Sequence, residues 1–143
     1  MTVKAILAQK GRDVVTIEPT ADLVAVIRTL ADHRIGALLV TDLDKGVIGI
    51  LSERDIVRAL AEHGASVLRR TVEDVMTRKV FTCSEADTVG EIMERMTAGK
   101  FRHLPVMEGG ELVGIVSIGD VVKYRLAEVQ RESEALRDYI ASA

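Results

Sequence analysis

Two stretches of the chain place apolar residues at the same helical spacing. Leu23, Val26, Ile27 and Leu30, and again Val89, Ile92, Met93 and Met96, run i, i+3, i+4, i+7, one face of a helix. Asp22 and Thr88 stand where such helices would start. A brief β-rich stretch precedes each helix: Val14-Val15-Thr16-Ile17 and Val80-Phe81-Thr82-Cys83. After each helix come two continuous apolar strands. Ala37-Leu38-Leu39-Val40 is expected to pair with Val47-Ile48-Gly49-Ile50-Leu51, and Leu104-Pro105-Val106-Met107 with Leu112-Val113-Gly114-Ile115-Val116. Asp44-Lys45-Gly46 and Glu108-Gly109-Gly110 supply the turns. Pro105 has no N–H to donate, so its strand is expected at an edge or locally bulged.

The pattern is an internal repeat. Thr16 aligns with Thr82, and the register holds to Val40 and Val106 at an offset of 66; one deletion in the turn then shifts it to 65. That brings Gly49-Ile50-Leu51-Ser52-Glu53-Arg54-Asp55 onto Gly114-Ile115-Val116-Ser117-Ile118-Gly119-Asp120. A repeat of this length is a supersecondary unit that buries its apolar face against a neighbour. Each copy also has a helical lead-in, Thr2-Val3-Lys4-Ala5-Ile6-Leu7 and Thr71-Val72-Glu73-Asp74-Val75-Met76, the second with Thr71 and Asp74 at capping-box spacing. The predicted organisation is a first repeat with its lead-in over residues 1–63, a linker and lead-in turn over 64–79, a second repeat over 80–126, and a helical extension over 127–143. The fold class is α/β (α+β).

Composition narrows the function classes. Of 143 residues 48% are apolar but only 3% aromatic, so the core must be aliphatic, and 143 residues suffice for one domain or two associated halves. A net charge of -3 leaves no overall basic footprint for nucleic acid. The one basic candidate is Arg69-Arg70 with Arg78-Lys79, a small patch without interleaved aromatics. No apolar run reaches membrane-spanning length and the start lacks a signal pattern, so a cytoplasmic location is expected. One cysteine, Cys83, and three scattered histidines give no metal-ligand spacing, and His33 and His63 fit last helical turns. Cys83 reads as a small buried hydrophobe. Walker-type and Gly-x-Gly-x-x-Gly loops are absent.

The repeated Gly-x-x-Ser-x-x-Asp lies where a strand meets a helix. Ser52 and Ser117 can be N-caps, with Asp55 and Asp120 three residues on beside the positive helix end. The same physics suits a ligand: a helix N-terminus donates to phosphate, and a carboxylate one turn in can accept from two ribose hydroxyls. The glycine permits close approach by a ligand or neighbouring backbone. Both readings, cap and binding site, fit the residues.

Two copies in this order, with the Thr-Val-x-Asp-Val-Met lead-in, Arg102-His103-Leu104-Pro105-Val106 and two Gly-x-x-Ser-x-x-Asp junctions, resemble a tandem CBS domain pair, or Bateman module. The resemblance covers the chain from Thr2 to about Leu126. It implies two pseudo-symmetric β-α-β-β-α repeats packed through their sheets, modules that pair into homodimers, and adenosine-containing regulatory ligands bound in clefts between the copies. By the same resemblance Asp55 and Asp120 would hold ribose hydroxyls, and Ser52 and Ser117 would contact ribose or phosphate. Thr16 and Thr82, with Cys83 following and Pro105 nearby, would line base pockets, while Ile35, Gly36, Ala37 and Phe101, Arg102, His103 would read the adenine edge. The copies diverge in cations: Arg102 and His103 face Gly36 and Ala37, whereas Arg54 faces Gly119. Arginine engages phosphate bidentately, so the two sites are expected to differ in phosphate affinity.

The resulting expectation is a stand-alone adenine-nucleotide sensor and not an enzyme, with no catalytic cofactor. AMP or NAD is favoured over ATP, because no pocket candidate clusters the several cations a triphosphate would want; ADP, ATP and S-adenosylmethionine stay as possible ligands. Its partners would be the small molecule, a second copy and an unnamed regulated protein, with neither membrane nor nucleic acid. The rival is a nucleotide-independent dimerisation module working through the last helix, where Val122, Leu126, Val129, Leu136 and Ile140 keep heptad-like spacing around Ser133.

Overall fold

The computed structural model describes residues 1–142. In chain order the elements are α1 (Val3–Lys10), β1 (Thr16–Ile17), α2 (Leu23–His33), β2 (Ala37–Asp42), β3 (Gly46–Ser52), α3 (Glu53–His63), a 3-10 turn (Gly64–Arg69), α4 (Val72–Val75), α5 (Val89–Gly99), β4 (His103–Glu108), β5 (Glu111–Ser117) and α6 (Ile118–Ser142). The fold is mixed α/β with two small sheets, ordered β1-β2-β3 and β4-β5. Among the described residues no helix is long and apolar enough to cross a membrane.

Both repeats form as their local signals dictate. Asp22 caps α2 by accepting from Ala25 N–H, and Thr88 caps α5 in a full capping box with Glu91. Leu23, Val26, Leu30 and their counterparts Val89, Ile92, Met96 are buried, but Ile27 and Met93 lie at the stripe edge, over a third exposed. Both helices end on a residue in the left-handed region, Arg34 at φ 54° and Lys100 at φ 56°, a place glycine usually takes. Gly109 and Gly110, both at positive φ, close the tight β4–β5 turn. Pro105 turns its nitrogen away from β5, toward the side where Cys83 N–H donates to the Pro105 carbonyl, so β4 tolerates it.

Two sequence expectations change. The β-rich stretch at residues 80–83 yields only a single bridge, Cys83 to Val106, and its counterpart β1 is two residues long. Thr71 makes no side-chain cap on α4; its backbone is committed to an antiparallel bridge with Asp22.

The chain divides into two compact units that do not follow the order of the repeats. One comprises Met1–Arg12, Cys83–Glu108 and the chain from Val113 onward; the other comprises Asp13–Thr82 with Gly109–Leu112. The lead-ins are therefore exchanged: α1 belongs with the second repeat and α4 with the first. The first core holds Val3, Ile6 and Leu7 of α1 among Val89, Ile92, Leu104, Val116 and Val121. In the other, Val67, Val72 and Met76 join Leu23, Val26, Leu38 and Leu51. Backbone pairs fix each exchange. Val3 N–H reaches the Asp87 carbonyl and Val89 N–H that of Met1; Val72 N–H reaches Ala21 and Leu23 N–H reaches Arg70.

The repeated strand glycine is the seat of each lead-in. A Cβ at Gly49 would stand 2.4 Å from Met76 Sδ and 3.1 Å from the Thr77 carbonyl oxygen, and one at Gly114 would stand 2.8 Å from Leu7 Cδ2. Ile50 and Thr77 exchange both backbone hydrogen bonds at 3.0 and 2.9 Å. Gly49→Ala and Gly114→Ala should each destabilise their unit by about 1–3 kcal/mol through overpacking. Gly90→Ala, on α5 with nothing within 4 Å, should instead stabilise by about 0.5–1 kcal/mol. Urea unfolding of the three variants checks this; equal midpoints would show that the glycines are not required for packing.

Candidate functional site

Each strand-to-helix junction is a reciprocal cap. At the first, Ser52 Oγ accepts from Asp55 N–H at 3.3 Å, while Asp55 Oδ2 accepts from Ser52 N–H at 3.0 Å and from Ser52 Oγ at 3.1 Å. At the second, Asp120 N–H donates to Ser117 Oγ at 3.1 Å and Ser117 N–H to Asp120 Oδ2 at 2.9 Å. Both carboxylates are thus pinned at a helix N-terminus, where the macrodipole favours negative charge.

The segment before each central strand is drawn to the same place. Glu53 N–H donates to the Gly36 carbonyl at 2.9 Å, and Ile118 N–H to the Arg102 carbonyl at 2.8 Å. Ala37 pairs in register with Ser52. The structure therefore gathers Gly36, Ala37, Ser52 and Asp55 at one junction and Arg102, Ser117 and Asp120 at the other, with His103 opening β4 beside Arg102. Ile35 precedes the first group and lines an apolar groove of about 560 Å³ between α2 and α3, with Ile27, Ile56, Val57, Arg34 and Glu53. That groove does not include Asp55.

Other sequence candidates sit further out or pack inward. Thr16 lies on β1 opposite Leu39, separated from β3 by β2. Thr82 is exposed just before Cys83, which is buried in the core, as is Pro105 on β4. Burial, reinforced by the Asp87 charge and only partly offset by Arg95, pushes the Cys83 thiol up to about 12. Phe101 lays its ring on Gly99, where a Cβ would stand 2.1 Å from it. Arg54 and Arg102 are exposed and His103 is half-buried. No group of His, Cys, Asp and Glu suited to a metal ion occurs among the described residues.

Two residues at the junctions escaped the sequence reading. Thr77 Oγ1 donates to Asp55 Oδ1 at 3.3 Å. At the other junction Lys10 Nζ reaches Asp120 Oδ2 at 2.5 Å and the Ile115 carbonyl at 2.7 Å. Both arrive on the exchanged lead-ins. Burial alone would raise the Asp120 carboxyl, but the Lys10 and Ser117 hydrogen bonds and the Lys10 charge together bring it below its ordinary value. The first carboxylate thus meets hydroxyls and the second an ammonium. Thr2 stands fourteen residues before Thr16 but Thr71 only eleven before Thr82, and that three-residue excess around Lys10 was the sequence signal for this asymmetry.

Comparison with known proteins fits this geometry. The model of the CBS domain matches twice, over residues 3–62 and 72–127. An Arabidopsis thaliana CBS domain-containing protein, CBSCBSPB1, is 33% identical over 93% of this chain, and the mitochondrial CBSX3 of the same plant is 34% identical over 80%. The chain spans about a quarter of the length of the first of these and 57% of the second. The crystal structure of ATU1752 from Agrobacterium tumefaciens, a CBS-domain containing protein, superposes with a TM-score of 0.86 at 50% identity, covering 87% of this chain and 99% of that one. The CBS domain pair of MJ0100, in complex with 5′-methylthioadenosine and S-adenosyl-L-methionine, superposes with a TM-score of 0.79 at 26% identity, covering 90% and 98%. With both copies matched and both junctions formed, the chain belongs to the CBS-domain family and carries two of its domains in tandem.

Proposed function

We propose that this CBS pair is a regulatory module, not an enzyme, that binds an adenosine-containing ligand at its two junctions and changes conformation or assembly in response. The observation that carries the reading is the duplicated carboxylate, Asp55 and Asp120, each fastened to a capping serine at a helix N-terminus. The MJ0100 pair, crystallised with two adenosyl compounds, supports the ligand class. In this reading the carboxylates take ribose hydroxyls, Ser52 and Ser117 touch ribose or phosphate, and the backbone at residues 35–37 and 101–103 reads the base edge. AMP and NAD are the favoured ligands, with ADP, ATP and S-adenosylmethionine as the alternatives.

Lys10 sharpens the choice. A ligand reaching Asp120 must share or displace its ammonium, and a phosphate offers that ammonium a new partner. The second junction, with Lys10, Arg102 and His103 nearby in sequence or space, therefore suits a phosphorylated ligand. Regulation follows only if the ligand binds one arrangement of the protein more tightly than another.

Thermal unfolding against AMP, ADP, ATP, NAD, NADH, S-adenosylmethionine and methylthioadenosine tests the reading. A ligand at one hundred times its dissociation constant should add about 2.7 kcal/mol, or roughly 5–10 °C. The shift should disappear in the Asp55→Asn/Asp120→Asn variant. A flat response at millimolar ligand would reduce both junctions to helix caps.

A second test concerns the ion pair. Asp120 has a depressed folded-state pKa, so its contribution to stability is present above the unfolded-state value near 4 and is lost as pH falls through the folded value. Lys10→Gln should raise the Asp120 titration toward the ordinary range. It should cost about 1 kcal/mol at pH 7, with the cost vanishing once the carboxyl is protonated. Carboxyl NMR titration with unfolding at neutral and acid pH reads both; an unmoved Asp120 would show that the pair is not formed in solution.

A further inference from the structure

Helix α6 outruns the unit that supports it. Val121 and Glu128 are buried on its inner face and Tyr124 packs against the core, but every residue from 129 to 142 is exposed. That free part projects about 20 Å at the helical rise. On the outer face stand Val122, Leu126, Val129, Leu136 and Ile140, each between 45% and 65% exposed. Their spacing of four and three, with Ser133 completing it, is an unbroken a/d seam: Leu126, Ser133 and Ile140 at a, and Val122, Val129 and Leu136 at d. A helix end this short, with no tertiary contact, is marginal in water.

We propose that this seam pairs with the same seam of a second copy, as a parallel, in-register two-stranded coiled coil. Charge selects that occupant and that orientation. Glu132 falls at g and Arg137 at e, and neither takes part in an ion pair among the described residues. Five positions apart on one helix, they do not face each other. In a parallel dimer Glu132 of each copy meets Arg137 of the other, giving two reciprocal pairs, and Arg125 meets Gln130 without repulsion. Antiparallel overlap of the free ends sets Gln130 against Arg137 and Glu132 against Tyr139, which uses no opposite charges. Ser133 then faces its own copy across the seam, a polar layer that holds register at some expense of stability. The inference rests on the self-association part of the function proposed above and is independent of the ligand.

The full chain carrying Ser133→Cys should form an interchain disulfide under mild oxidation. Cys83, buried with its thiol at about 12, stays silent, so the unsubstituted chain is the blank. Arg131→Cys, at the f position on the side of the helix turned away from the seam, should cross-link no more than that blank. Adding Glu132→Arg to Ser133→Cys should lower the yield about fivefold through repulsion from Arg137, and adding Arg137→Glu as well should restore it. No cross-link, or one indifferent to charge reversal, overturns the coiled coil. Sedimentation of the unsubstituted chain separates the two levels. A dimer without the cross-link leaves self-association standing and removes this interface, whereas a monomer at millimolar concentration removes both.

Discussion

Two hydrogen atoms in place of side chains, at Gly49 and Gly114, govern how the rest of the molecule is assembled. Met76 and Leu7 settle onto the bare strands, and any Cβ there would stand inside contact distance. The lead-ins can approach only because of that absence, and their approach brings Thr77 and Lys10 to the junction carboxylates. The glycine thus admits a side chain at both copies, and at Gly49 the Thr77 backbone as well. The exchange of lead-ins follows from the same seat, since each apolar lead-in completes the core of the copy it does not precede in sequence.

Equivalent seats do not make equivalent sites. The capping geometry at Ser52–Asp55 and Ser117–Asp120 is nearly the same, because it is set within four residues by one turn of helix. What faces those carboxylates differs, because it arrives from a distant segment. A hydroxyl leaves Asp55 a neutral neighbour, while an ammonium draws Asp120 below its ordinary pKa against the opposing effect of burial. In a duplicated fold, function can diverge by changing the visiting residue while the shared junction stays intact.

Helix α6 shows the same division of labour along one element. Its first turns are held by Val121, Tyr124 and Glu128 facing inward, while the seam from Val122 to Ile140 turns outward. One helix can therefore belong to its unit at one end and stand exposed along the other. The apolar residues on its outward seam are not the ones that make it part of the core.

The sequence by itself determined everything whose cause lies within one turn or one hairpin. The Asp22, Thr88, Ser52 and Ser117 caps, the buried helical stripes and the two antiparallel hairpins all follow from propensity, period and turn chemistry acting over a few residues. The duplicated Gly-x-x-Ser-x-x-Asp was legible too, including its double reading as cap and candidate site. Tertiary structure alone decided the exchange of lead-ins, the loss of the expected strand at residues 80–83, the diversion of Thr71 into a backbone bridge, and the meeting of Lys10 with Asp120. Those contacts join residues far apart in the chain, where no local period records the partner and only the shape left by a missing side chain determines which segment fits.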